Sequence, residues 1–129
     1  MRILLDTQCW LWMAAAPEKL SSQARALVEP SEHELLLSAA SAWEIAIKHA
    51  LGKLTLPEPP SRYVPSRLAS LRTNSLPIQH DHALRVASLP AHHRDPFDRL
   101  LVAQAQIEGM PILTADAVFA KYDVSVIAA

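Results

Sequence analysis

The sequence predicts an α/β fold with a largely parallel, five-stranded sheet between helices. Three observations carry that prediction. Five short apolar runs alternate with stretches of helical character, the order expected of parallel strands joined by helical crossovers. Half of the 129 residues are apolar, enough to bury one core, and the length suits a single domain spanning residues 1–129. No repeat, linker or low-complexity tract divides the chain.

The elements follow in order. Arg2 to Leu5 reads as a buried strand ending at Asp6-Thr7. Cys9 to Ala15 reads as a short helix on the core, with Trp10 and Trp12 as packing residues rather than a base-stacking platform. Pro17 breaks the chain, Ser21 or Ser22 caps a helix over Ala24 to Val28, and Pro30 ends it. Glu34 to Ser38 is the second strand, and Ser41 to Ala50 a helix that Gly52 stops. Leu54 to Pro60 is a Pro-rich loop; Ser61 to Thr73 is an amphipathic helix, begun or interrupted at Pro65. Ser75 to Ile78 is the third strand and Asp81 to Ser88 a short helix. Asp95-Pro96 is a helix start, an acceptor at the cap followed by a residue whose missing N–H goes unneeded in the first turn. Gly109 stops that apolar helix. Pro111 to Thr114 is the fourth strand, Val118 to Tyr122 one or two helical turns, and Val124 to Ile127 the fifth strand.

Composition narrows the chemistry. With two Gly and no Walker, G-x-S-x-G or G-x-G-x-x-G motif, phosphate-loop and serine-hydrolase readings lack support. No apolar run reaches the roughly 20 residues of a membrane span, and the N-terminus does not read as a signal peptide. The single Cys9 has no partner for an internal disulfide and no evident activating base, which fits a reducing, cytoplasmic compartment. Net charge is −1, so there is no global attraction to nucleic acid. Six arginines between Arg62 and Arg99 form either a local basic rim or a scatter of solvated charges.

The acids are more informative. Ligands in an open parallel sheet bind outside the carboxyl ends of the strands. Asp6 ends the first strand, and Asp116 lies just past the fourth. Glu44 opens the helix after the second strand, and Asp98 the helix before the fourth. Each has a structural reading: Ser41-x-x-Glu44 as a capping box, Asp95-x-x-Asp98 likewise, Asp6 and Asp116 as caps. Four on one edge is another matter, because packed carboxylates repel unless protonated or bridged by a cation. An all-oxygen cluster suits Mg²⁺ or Mn²⁺. Zinc is disfavoured: His92 and His93 are adjacent, and His80 and His82 lack partners at finger spacing. Most histidines read as surface or packing residues, with His93 and Arg94 as side chains that can meet a substrate.

These residues carry a family resemblance over nearly the whole chain. Asp6-Thr7, Ser41-x-Trp43-Glu44-Ile45-Ala46-x-Lys48 with Gly52-Lys53-Leu54, His93-Arg94-Asp95-Pro96-Phe97-Asp98-Arg99-Leu100-Leu101 with Ala103-Gln104-Ala105, and Thr114-x-Asp116 resemble the PIN domain, above all the bacterial VapC-type ribonuclease toxins. The resemblance implies a three-layer α/β/α fold and a Mg²⁺- or Mn²⁺-dependent endoribonuclease inhibited by an antitoxin, with a homodimer as the family expectation. It carries the acidic quartet onto Asp6, Glu44, Asp98 and Asp116, as metal ligands and catalytic residues. Thr114, Asp95 and Thr7 stand as supporting residues, Asp95 as a cap before a site residue. Gln8 departs from the His or Asn often found after Asp-Thr, a difference that bears on substrate contacts rather than the metal. Phosphodiester hydrolysis needs an activated water and relief of phosphate charge, and carboxylate-held divalent ions supply both. Arg94, Arg99, Lys48 and Lys53 are the candidate RNA contacts. A receiver domain fails on its missing paired acids and terminal Lys. A PIN-type nuclease outside a toxin–antitoxin pair and a silent PIN-like binding module remain as alternatives.

Overall fold

The computed structural model describes residues 1–29 and 32–129. Five parallel strands, β1 (Arg2–Leu5), β2 (Glu34–Ser38), β3 (Thr73–Leu76), β4 (Ile112–Thr114) and β5 (Val126–Ala128), form one sheet in the order β3-β2-β1-β4-β5. The helices are α1 (Thr7–Ala15), α2 (Ser22–Val28), α3 (Ala39–Ala50), α4 (Pro60–Ser70), α5 (His80–Arg85) and α6 (Pro96–Glu108).

Strand alternation generates the three layers. Ile3, Leu5, Leu35, Leu37 and Leu113 face one side, where they pack with Trp10 of α1, Ala24 of α2, Ile45 of α3 and Val64 of α4. Leu4, Leu36 and Ile112 face the other side, against Leu101, Val102 and Ala105 of α6 and Phe119. Both faces of the sheet are covered, which is why β1, β2, β4 and β5 are nearly continuous in apolar residues, while the edge strand β3 is mostly polar.

The chain runs β1 to β2 to β3 in one direction and then returns to place β4 on the other flank of β1. The crevice between the carboxyl ends of β1 and β4 is therefore the topological switch point. Leu4 pairs in register with Leu36 on one side and Ile112 on the other, and the Asp6 N–H donates to the Leu113 carbonyl at 3.0 Å. The two strand ends that carry Asp6 and Asp116 are thereby tied together.

Several boundaries differ from the sequence expectation, each for a local reason. α1 begins at Thr7 rather than Cys9, directly off the strand. α3 begins at Ala39, because the Ser38 hydroxyl accepts the Ala40 N–H at 3.0 Å. Ser41 lies inside the helix and is no cap. α4 begins at Pro60 and runs through Pro65, whose ring is exposed, so it removes one N–H without ending the helix. α4 closes early because Arg72 adopts φ 51°, and β3 then starts at Thr73 rather than Ser75. The fifth strand is Val126–Ala128, shifted from 124–127, and Val86–Ser88 and Ala117–Lys121 are 3₁₀ turns. Gly109 ends α6 at φ 65°, a left-handed conformation that suits glycine. The Pro30 stop lies outside the described residues.

Candidate metal centre

Asp6, Glu44, Asp98 and Asp116 line one cleft of about 340 Å³, together with Asp95, Thr7, Gln8, Lys48 and Lys53. The cleft sits at the switch point, where β1, α3, α6 and the turn after β4 each deliver one acid. A cavity of about 370 Å³ elsewhere, lined by Leu20, Val28, Leu35 and Leu71, holds none of the four.

Asp6 occupies the N-cap position of α1 but makes no capping bond. Its Oδ2 instead accepts the Thr114 hydroxyl at 2.7 Å, and Thr114 Oγ1 accepts the Asp116 N–H at 3.0 Å. Thr114 is buried and joins the two strand-end acids. Burial raises the Asp6 carboxyl above its ordinary value; the Thr114 bond opposes this and the Glu44 charge adds to it.

Glu44 is 6% exposed and is not part of a capping box. Its Oε1 lies 2.8 Å from Thr7 Oγ1, which lies 2.7 Å from Ser41 Oγ. A carboxylate only accepts, so the single Thr7 proton points to Glu44 and the Ser41 hydroxyl donates to Thr7. Thr7 and Ser41 thus orient Glu44. Oε2 pairs with the Lys48 ammonium one turn on, and this bond holds Lys48 protonated above its ordinary value.

Asp95 accepts the Phe97 N–H at 2.8 Å and the Asp98 N–H at 3.4 Å through the same Oδ1, as the N-cap of α6. Asp98, in the first turn, points into the cleft. Burial, followed by Asp95, Asp6, Glu44 and Asp116, pushes its carboxyl up to about 8. Asp116 is the opposite case. The Val118 N–H donates to its Oδ1 at 2.9 Å and, with the His93 hydrogen bond, holds the carboxyl below its ordinary value despite some burial.

His93 belongs to this cluster, with a role that no local signal in the sequence reveals. Its Nε2 lies 3.1 Å from Asp116 Oδ2 and 3.8 Å from Asp98 Oδ2. One ligand-type atom each from His93, Asp98 and Asp116 falls within 4.8 Å of the others. Around one divalent ion at roughly 2.1 Å, ligand atoms lie up to roughly 4 Å apart, so the Asp98 and Asp116 oxygens of this group can share an ion after small adjustment. The wider donor set is oxygen-rich, and Asp6 and Asp98 are raised above their ordinary values by burial and by the neighbouring acids. That is the state a bound cation relieves.

The candidate RNA contacts divide. Lys48 and Lys53 line the cleft. Arg94 is exposed and outside the lining. Arg99 donates to the carbonyls of Pro90, Val86 and Leu89 at 2.9, 3.0 and 3.4 Å, so its guanidinium anchors the loop before α6. The buried Cys9 thiol is pushed up to about 12 by burial and the Asp6 charge, which removes it as a nucleophile. Among the described residues no helix is long and apolar enough to cross a membrane.

A family profile described as PIN domain matches residues 3–125. Ribonuclease VapC16 of Mycobacterium tuberculosis is 49% identical over 61 residues, a match that spans 47% of this chain and 43% of that protein. Among solved structures, VapBC2 from Rickettsia felis bound to a promoter DNA fragment superposes with a TM-score of 0.75 at 12% identity, covering 99% of this chain and 98% of that one. DNA-bound VapBC from Salmonella typhimurium superposes with a TM-score of 0.70 at 16% identity, covering 99% and 98%.

Proposed function

This chain belongs to the PIN domain family, and on that premise we propose that residues 1–129 act as one metal-dependent endoribonuclease domain, the toxin of a type II toxin–antitoxin pair. The carrying observation is the convergence of Asp6, Glu44, Asp98 and Asp116 on the switch-point cleft. The stretch shared with a ribonuclease, and a fold shared with chains from VapBC complexes, support the activity and the antitoxin partner.

Asp6, Asp98 and Asp116 would hold a hard divalent ion, Mg²⁺ or Mn²⁺, with Glu44 taking a second ion directly or through water. When bound, such an ion neutralises charge on the scissile phosphate and lowers the pKa of a water. The protein's own part is positional. Thr114 holds Asp6, Thr7 and Ser41 hold Glu44, and the Asp95 cap fixes the first turn from which Asp98 projects. Lys48 and Lys53 offer positive charge at the cleft wall to a polyanion that the acids alone would repel. The buried thiol of Cys9 leaves water as the attacking group, with no covalent intermediate.

A cytoplasmic location follows from RNA as substrate and accords with a free, buried cysteine. The exposed apolar residues Trp43 and Leu51 on α3 and its end are the surface we assign to a homodimer or an antitoxin.

Purified protein incubated with total RNA and Mg²⁺ or Mn²⁺ is expected to cleave it, and EDTA or Asp6→Asn to abolish cleavage. Cleavage that survives both would sink the metal reading. Expression is expected to arrest growth, with rescue by the product of an adjacent reading frame; growth without arrest would leave a nuclease outside any toxin–antitoxin pair.

A further inference from the structure

Resting on the metal reading above, we propose that His93 is a positioning residue: its Nε2–H orients the Asp116 carboxylate toward the ion, and it is not itself a ligand.

The two nitrogens of the ring decide between these roles. Nε2 lies 3.1 Å from Asp116 Oδ2. A carboxylate oxygen accepts, so Nε2 donates. Nδ1 is buried and has no hydrogen-bond partner among the described residues. A ligating imidazole would present a bare Nε2 and carry its hydrogen on Nδ1, where a buried N–H would go unpaired. Metal-bound histidines nearly always donate that second N–H to a carboxylate, carbonyl or water. Here Nδ1 has no such partner among the described residues, and the tautomer that donates from Nε2 leaves only a bare acceptor there in place of an unpaired N–H.

The ring is also held still. It stacks on Tyr122 with centroids 5.4 Å apart and planes 3° apart, and tilts against Phe119 at 4.7 Å. The His93 backbone N–H donates to the Tyr122 hydroxyl at 2.7 Å. The side chain is 8% exposed and is not among the residues that line the cleft, although Nε2 also lies 3.8 Å from Asp98 Oδ2. Asp116 thus receives one donor on each oxygen, Val118 N–H on Oδ1 and His93 on Oδ2. Both bonds fix the carboxylate plane, and each oxygen keeps a lone pair for the ion. Without His93, the Val118 N–H alone would hold the Asp116 carboxylate, whose side chain is 42% exposed.

Mn²⁺ binding to the full chain tests this by calorimetry and by pulsed electron paramagnetic resonance, with His93→Phe and His93→Gln beside the unaltered protein. His93→Phe keeps an aromatic ring and loses the donor; His93→Gln places an amide N–H near the position of Nε2. The expected result is a 10- to 100-fold loss of Mn²⁺ affinity in His93→Phe, recovery to within about threefold in His93→Gln, and no directly coordinated nitrogen in the spectrum of the unaltered protein. Strong nitrogen coupling to Mn²⁺ that vanishes in His93→Gln would make His93 a ligand and overturn the inference. Equal affinity in the unaltered protein and His93→Phe would also overturn it, while leaving the metal reading intact. An unaltered protein that binds no Mn²⁺ would remove both. Should His93→Phe fail to fold by circular dichroism, the nitrogen coupling and the affinity of His93→Gln still decide.

Discussion

Thr114 Oγ1 donates to Asp6 Oδ2 at 2.7 Å and at the same time accepts the backbone N–H of Asp116. One hydroxyl therefore couples the acids that end two neighbouring strands. Thr114→Val is nearly the same shape but leaves a buried carboxylate oxygen and an N–H without partners. The expected loss of stability is about 2–3 kcal/mol. Urea denaturation is the check: the midpoint should fall with an unchanged slope, and an unaltered midpoint would contradict the coupling.

Asp98 makes the metal-free protein sensitive to alkali. Its carboxyl, ordinarily at 3.8, is raised to about 8 by burial and four neighbouring acids. The folded state therefore holds a proton that the unfolded state releases, and stability falls as pH rises from the unfolded value toward 8. In EDTA, Asp98→Asn should match the unaltered protein near pH 4 and exceed it above pH 8. After allowance for solvent screening the gap should be on the order of 2 kcal/mol. Melting temperatures across that range decide it; parallel curves would refute the assignment.

Metal binding must displace the same protons. With Asp98 near 8 and Asp6 also raised, affinity for Mg²⁺ or Mn²⁺ is expected to climb about tenfold per pH unit between 6 and 8. Calorimetry in buffers of different ionisation enthalpy should show proton release at pH 7. Affinity that is flat across this window would show that the acids are already ionised.

The cationic residues separate by role. Lys53→Gln and Lys48→Gln are expected to weaken RNA binding and to flatten its salt dependence by about 0.7 for each phosphate left without its cation. Arg99→Lys should instead reduce stability by about 1–2 kcal/mol, because the guanidinium that bridges the Pro90, Val86 and Leu89 carbonyls is lost, and leave the salt dependence unchanged. Filter binding of a short RNA in EDTA at several salt concentrations distinguishes them.

The fold class and the shared edge of the acids were legible because strand ends and helix starts are local signals. Asp6 follows four residues that alternate between the two faces of the sheet, and Asp95-Pro96 marks where α6 begins. Features set by distant partners were not legible. Ser41 and Glu44 have capping-box spacing, yet Ser38 caps α3 and Ser41 serves Thr7, 34 residues away. Arg99 resembles a phosphate contact until the loop carbonyls surround it. β3 is an edge strand with only Thr73 and Leu76 buried, so its pattern was too thin to set its start, which Arg72 fixes with an unsignalled left-handed turn. His93 depends on Tyr122 and Phe119, which become its neighbours only when the last 3₁₀ turn packs on α6.

The hydroxyl bond between Thr114 and Asp6 spans 108 positions, and β4 pairs with β1 across nearly the whole chain. A polypeptide that has not yet reached Asp116 holds at most three of the four acids and lacks β4, which closes the crevice on the other flank of β1. On the proposed function, such a nascent chain would lack part of its ligand set, and any capacity to cleave would wait until β4 and Asp116 had been made and paired with β1.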